Sequence, residues 1–402
     1  MTSQPTVLIL RDPTLRLTAV LMVLQGALVC SFGPHISVLA VRQFGLGDRG
    51  YAVMMVASTL VSVTAAIAAG IRADQTANRR GVALWSCALM VLGTALMTAL
   101  PSPISFVLAH ALIFPLNSLF GQLFAQSRLA AQSYPPATRD GIQTTIRALF
   151  AAPFIVVLPL WALAFDRGTP ILSIYPVAMF LAALMLALTA RTWPSAGTAQ
   201  WQDAPSGLSL RQALQELANP ALALRIVALG AVSVGGTAYW AIMGLVLTGP
   251  TGSGTAALYA GLVAGLEVPL MLMVPWVLPH VRRTHLILIG TCIYALQLLG
   301  IPLLAGSPLV WLALIPGAIG GALTLTLPLA YMQDALGHRP GTGAALMALM
   351  KLAGDAMAAA SFALGTALSG YLLAAVLAAT VTIVGALVLV TADRGTASQP
   401  SR

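Results

Sequence analysis

The sequence predicts an all-α membrane protein with twelve transmembrane helices in two six-helix, pseudo-symmetric bundles. Three observations predict it. Of the 402 residues, 58% are hydrophobic and only 8% charged, with a mean hydropathy of +0.90, far too apolar for a water-soluble globule. The apolar residues fall in runs of about 20, the length that carries a helix across roughly 30 Å of hydrocarbon, whereas an outer-membrane barrel would alternate in segments of about 10. One long connection divides these runs into six and six.

Spans are expected at 15–41, 51–70, 82–100, 104–127, 141–164, 170–190, 223–247, 255–278, 285–304, 308–333, 342–364 and 366–391. The first apolar run is too long for a signal-peptide core, so it is expected to stay in the protein as a span. An even number of spans puts both termini on one side. Of the arginines outside the expected spans, all but Arg42, Arg49 and Arg167 fall in the termini or in the loops after even-numbered spans. The positive-inside rule therefore predicts cytoplasmic termini and a multi-pass protein of the inner membrane, with the lipid bilayer as its surroundings.

Between spans six and seven, Pro194, Ser195, Gly197, Pro205, Ser206 and Gly207 precede an amphipathic-looking piece that starts at Leu208. The chain thus divides into a first bundle at 1–190, a cytoplasmic linker with a surface helix at 191–222, and a second bundle at 223–402. The other connections are short and leave no room for a soluble catalytic domain. Nucleophile elbows, metal clusters and phosphate loops are missing, so neither an enzyme nor a bound cofactor or metal is expected. Cys30, Cys87 and Cys292 lie in apolar runs without paired spacing and read as small core residues. The net charge of +9 comes from scattered loop arginines, which gives no reason to expect a nucleic-acid partner.

After span two the chain reads GIRADQTANRR from Gly70 to Arg80, and this loop resembles the signature loop of the major facilitator superfamily. Physically, Gly70 permits close helix approach, Asp74 can meet a neighbouring helix N-terminus, and Arg79 and Arg80 hold the cytoplasmic side. The resemblance implies parallel repeats with a substrate site at their interface near the midplane. The matching loop of the second half, Pro279 to His285, keeps a basic pair but lacks the aspartate.

An ionisable group at membrane depth costs roughly 2.5–3.5 kcal/mol on insertion scales and therefore points to function. Arg147, Glu267, Lys351 and Asp355 stand out. Lys351 is the only lysine, and Asp355 lies one turn beyond it on the same face, either as an ion pair that lets the helix insert or as a switch. Arg147 and Lys351 are 204 residues apart, each following a glutamine-bearing helix and a basic loop, so they are expected to face each other across the repeat axis. Glu267 stands alone in AGLVAGLEVPLMLMVPW, where a carboxyl can carry a proton rather than a charge. Gln25, His35, Asn117, Gln122, Tyr239, Trp240 and Tyr331 could line the same space and bind a hydroxyl-rich ligand, whereas His110 reads as packing.

Together the NSLFGQLFAQSR run at 117–128, Arg139, TTIRAL around Arg147, Pro159, and GLEVPLML around Glu267 resemble the sugar efflux transporters, proton-linked exporters within that superfamily. The SFGPHISVLAV run from Ser31 fits their first helix more loosely. The resemblance points to Asn117, Gln122, Arg128, Arg147 and Glu267, and implies export of sugars or glycoside-like molecules in exchange for protons. The chain departs from that pattern in reading IVVLP before Pro159 and in carrying a lysine at position 351. The sequence expectation is a proton-coupled, alternating-access exporter of a small polar solute, with Glu267, Asp355 and Lys351 in proton coupling. A multidrug or metabolite antiporter of the same fold, or a non-transporting sensor or assembly factor, are the alternatives.

Overall fold

The computed structural model describes residues 5–76, 79–194, 220–248, 254–278, 280–336 and 340–397, with side chains for all of these except 70–76, 136–137, 275, 329–330, 333–336, 340–348 and 394–397. Twelve helices are numbered here: α1 (Pro13–Phe32), α2 (Gly47–Thr76), α3 (Arg79–Ala99), α4 (Leu119–Ala130), α5 (Pro136–Asp166), α6 (Ile174–Thr192), α7 (Pro220–Leu247), α8 (Gly254–Val277), α9 (Arg283–Leu303), α10 (Leu314–Leu336), α11 (Pro340–Leu368) and α12 (Tyr371–Ala397). Eleven segments among the described residues are helical, long and apolar enough to cross a membrane. The remaining expected span falls on α11, a 29-residue helix. The expected surface helix from Leu208 lies outside the described residues, as do the side chains of Gly70 and Asp74.

Local chemistry sets the helix ends. Asp12 caps α1, its carboxylate accepting from the backbone N–H groups of Thr14 (2.8 Å) and Leu15 (3.0 Å), with Pro13 in the first turn where its missing N–H costs nothing. Gly45 (φ 68°) and Gly47 (φ 65°) supply the left-handed turn that starts α2.

Two expected spans are not continuous. The first breaks at Gly33–Pro34, resumes as one turn at Ile36–Val38, and finishes in a π turn at Leu39–Gln43. The fourth runs from Pro103–Val107 through a π turn at Leu108–Ile113 and a tight turn at Phe114–Leu116, then restarts as α4. Pro34 and Pro115 are the reason, since a prolyl nitrogen cannot donate into the ladder and its ring crowds the preceding turn. Asn117 takes over where the ladder fails, its Oδ1 accepting from Leu119 N at 2.7 Å.

The helices repeat one packing scheme in each half. In the first, α1 packs on α5 and α3 on α6; in the second, α7 packs on α11 and α9 on α12. The halves then join through α2 against α11 and α5 against α8, so the second helix of each half meets the fifth of the other. Glycines hold both copies together. A methyl group on Gly26 of α1 would strike the carbonyl of Phe150 on α5, and one on Gly230 of α7 would strike Met350 O and Gly354 N on α11. Gly26 with Phe150 and Gly230 with Gly354 are related by the same 204-residue offset as Arg147 and Lys351.

At one end the halves are bound by polar contacts. Arg42, closing the first span, donates to Thr248 O, just beyond α7, and, at 2.6 Å, to Leu245 O in its last turn. Tyr371, opening α12, donates to Asp48 Oδ1 at 3.2 Å. Gly244 of α7 lies against the carbonyl of Pro34, and Gly254 of α8 against Asp166.

Candidate functional site

A cavity of about 530 Å³ lies between the halves, within the size range of small-molecule sites. One wall is α2, whose residues Tyr51, Met54, Met55, Ser58, Thr59 and Ser62 recur at helical spacing and all face it. The opposite wall comes from α7 and α11 through Thr237, Trp240, Lys351 and Asp355.

Asp355 is the centre of this wall. It is 7% exposed, and both carboxylate oxygens are engaged. Oδ1 accepts from Thr237 Oγ1 on α7 at 2.9 Å. Oδ2 accepts from Thr59 Oγ1 on α2 at 2.9 Å and from Lys351 Nζ one turn earlier on α11. A buried carboxylate has to be paired and hydrogen-bonded to be tolerated, and here three helices from both halves share that task. The Lys351 side chain is 54% exposed and that of Asp355 11%, so the cavity meets the ammonium first.

The first span, from Gln25 to Ile36, and the broken fourth span, from His110 to Asn117, supply most of the remaining first-half wall. The π turn of the fourth span carries His110, which is buried and shares a 2.9 Å hydrogen bond between Nε2 and the Tyr175 hydroxyl. Around it, the rings of Phe32, Phe106 and Phe114 lie at centroid distances of 5.6, 4.5 and 4.9 Å. Gly93 of α3 leaves room for the Phe114 ring, which a methyl group there would overlap. Trp240 closes the cavity against Gly33 at one edge and Phe154 at another, the rings of Phe154 and Trp240 being 6.4 Å apart.

The residues singled out from the sequence are divided by the fold. Gln25, Asn117, Trp240, Lys351 and Asp355 line the cavity. Tyr239 is buried behind Trp240, its ring 5.2 Å from the indole and 6.2 Å from Tyr294. His35 is fully buried at the Arg42 end, edge-on to Phe165 at 5.1 Å, with neither ring nitrogen bonded among the described residues. Gln122 is buried near the other end, where Arg79 Nη1 approaches its Oε1 at 3.4 Å, while Arg80 Nη2 donates to Ala190 O at 2.7 Å. Tyr331 donates to Asp393 Oδ1 at 2.6 Å, an acid that also pairs with Arg225 at 3.8 Å. Arg147 is exposed, its guanidinium carbon 5.6 Å from the Phe124 ring centre, and it is not among the residues lining the cavity. Glu267 is half-buried away from the cavity, its carboxylate seated on Gly321 beside Tyr294.

Thr59, Thr237 and the α2 stripe were missed in the sequence, because single hydroxyls and methionines in apolar helices carry no signal of their own. The recurrence at 51, 54, 55, 58, 59 and 62 was the available clue. His110, read as packing, lines the cavity. Cys292, read as a core residue, is exposed.

No protein-family model matches the chain. It is 26% identical over 333 residues to a candidate sugar efflux transporter of Deinococcus radiodurans, covering 79% of this chain and 82% of the relative. Among solved structures it resembles the nucleoside transporter NupG, with a TM-score of 0.72 at 14% identity over 94% of this chain and 99% of that one. It also resembles a D-xylose-proton symporter, with a TM-score of 0.68 at 14% identity over 95% and 96%.

Proposed function

We propose that this chain, which has the major facilitator fold, is a secondary transporter that exports a sugar or glycoside-like small polar molecule across the inner membrane in exchange for protons. The observation that carries the reading is Asp355, an acid at the wall of the inter-half cavity whose hydrogen bonds reach both halves. A proton on Asp355 would remove the charge that strengthens the bonds from Lys351 and Thr59. Protonation and the α2–α11 seam are therefore energetically linked, which is the requirement for proton-driven alternating access. Glu267 is the second acid available for coupling. The similarity to a candidate sugar efflux transporter supports the solute class.

With cytoplasmic termini, the Arg42 end faces outward. The bonds of Arg42 and Tyr371 then hold the halves together on the outer side.

Flux of a labelled sugar in proteoliposomes under an imposed pH gradient tests the proposal. Gradient-driven flux in the wild type, reduced at least tenfold in Asp355→Asn or Glu267→Gln while gradient-free counterflow persists, is the expected result. Flux that ignores the gradient would reject proton coupling.

A multidrug or metabolite antiporter remains as a second reading because of one observation. Met54, Met55, Met90, Phe32, Phe114 and Phe154 make much of the lining apolar. Transport of lipophilic cations in preference to sugars would favour it.

A further inference from the structure

The cavity presents its charges unequally. Both oxygens of Asp355 are already engaged, by Thr237 on one side and by Thr59 and Lys351 on the other. That carboxylate, with its side chain only 11% exposed, has little left to accept a solute hydroxyl. Lys351 is the reverse case. Its ammonium has three protons, one directed to Asp355, and its side chain is 54% exposed on the cavity wall. The two threonines matter because they come from different helices and give each oxygen a donor that does not depend on the lysine. Lys351 is thus free to aim its other protons at a solute without leaving Asp355 unsatisfied.

The remaining polar groups extend this pattern. Asn117 spends its Oδ1 on Leu119 N, which leaves its amide N–H groups as donors. Gln25 is 6% exposed and its Oε1 has no partner among the described residues, so the wall also offers one buried acceptor. Among the described lining residues Lys351 is the only cation. The ammonium shares a wall rich in methionine and aromatic side chains, and an anionic acceptor forms a hydrogen bond roughly twice as strong as a neutral one does.

Building on the transporter reading above, we infer that Lys351 is a specificity determinant for a singly charged carboxylate, and that the transported solute is a hydroxylated acid such as a sugar acid, its carboxylate on Lys351 and a hydroxyl on Gln25. Asp355 already balances the ammonium's charge, so Lys351 selects a carboxylate through the two N–H donors it has left rather than through a net positive charge.

The test uses purified protein in liposomes and entrance counterflow of D-glucuronate, D-glucose and D-glucosamine, pyranoses of similar size that differ in charge. The wild type is expected to carry glucuronate about tenfold faster than glucose at equal concentration, with glucosamine slowest. In K351Q the glucuronate-to-glucose ratio falls to about one, and K351R keeps it above one, which separates loss of charge from loss of fold. Glucose carried as fast as glucuronate by the wild type, or a ratio unchanged in K351Q, would overturn the inference while leaving the transporter reading intact. No counterflow of any of the three by protein that melts cooperatively would overturn both.

Discussion

Thr59 on α2 donates a 2.9 Å hydrogen bond to Asp355 on α11, joining side chains 296 residues apart and one half of the molecule to the other. Asp355 also takes bonds from α7 and from its own helix, so removing any one donor leaves the carboxylate partly satisfied. A bond of this kind can break and re-form during transport without exposing a bare charge to an apolar wall.

Replacing Thr59 with Val should therefore cost little stability, about 1–2 kcal/mol, the range for one hydrogen bond to a charged group within a helical bundle. Flux should fall more than stability does, because the bond lies on the seam that has to move. Thermal melting in detergent and counterflow in liposomes measure the two separately. A flux unchanged from wild type would show that the bond plays no part in turnover.

Lys351 and Asp355 should behave as a unit. Asp355→Ala leaves an ammonium without its partner and should destabilise the protein by up to about 3 kcal/mol, less than a fully buried pair because Lys351 is half exposed. The double substitution Lys351→Met with Asp355→Leu should recover most of that stability, since no charge remains to be compensated. Transport should stay lost. If the double variant melts like the wild type and still transports, the pair is only structural.

Gly93→Ala places a methyl group within the Phe114 ring of the broken fourth span. Phe114 would have to turn into the cavity, at an overpacking cost of about 1–3 kcal/mol. Adding Phe114→Leu should restore melting temperature. Failure of that rescue would mean that the strain arises elsewhere.

The Arg42 end should control which side is open. Arg42→Gln removes the donors to Leu245 O and Thr248 O, and Gly244→Leu wedges a side chain against Pro34. Both should shift the population toward opening at that end. Labelling of a cysteine placed at Thr237, with Cys30, Cys87 and Cys292 replaced by Ala, measures the shift with an impermeant thiol reagent added from that side. Unchanged labelling rates in both variants would contradict the assignment of this seam as a gate.

The helical, membrane-spanning character of the chain was legible from residue type alone, because hydrocarbon solvates almost nothing but apolar side chains and forces the backbone to bond within each segment. The 204-residue echo likewise appeared as a repeat and reappears as two copies of one helix packing, with Gly26 and Gly230 in matching contacts. Lys351 and Asp355 announced themselves by the cost of placing charge in apolar surroundings. Contacts between helices were a different matter. Thr59 and Thr237 became donors to Asp355 only when α2, α7 and α11 converged, since a threonine hydroxyl in a helix can always satisfy itself on its own backbone and gives no sign of where else it will bond. The same convergence left Arg147 exposed against Phe124 and Glu267 beside Gly321, apart from the cavity that Lys351 enters. Local composition fixed which residues were costly to bury; the crossing of helices from two halves decided which of them meet.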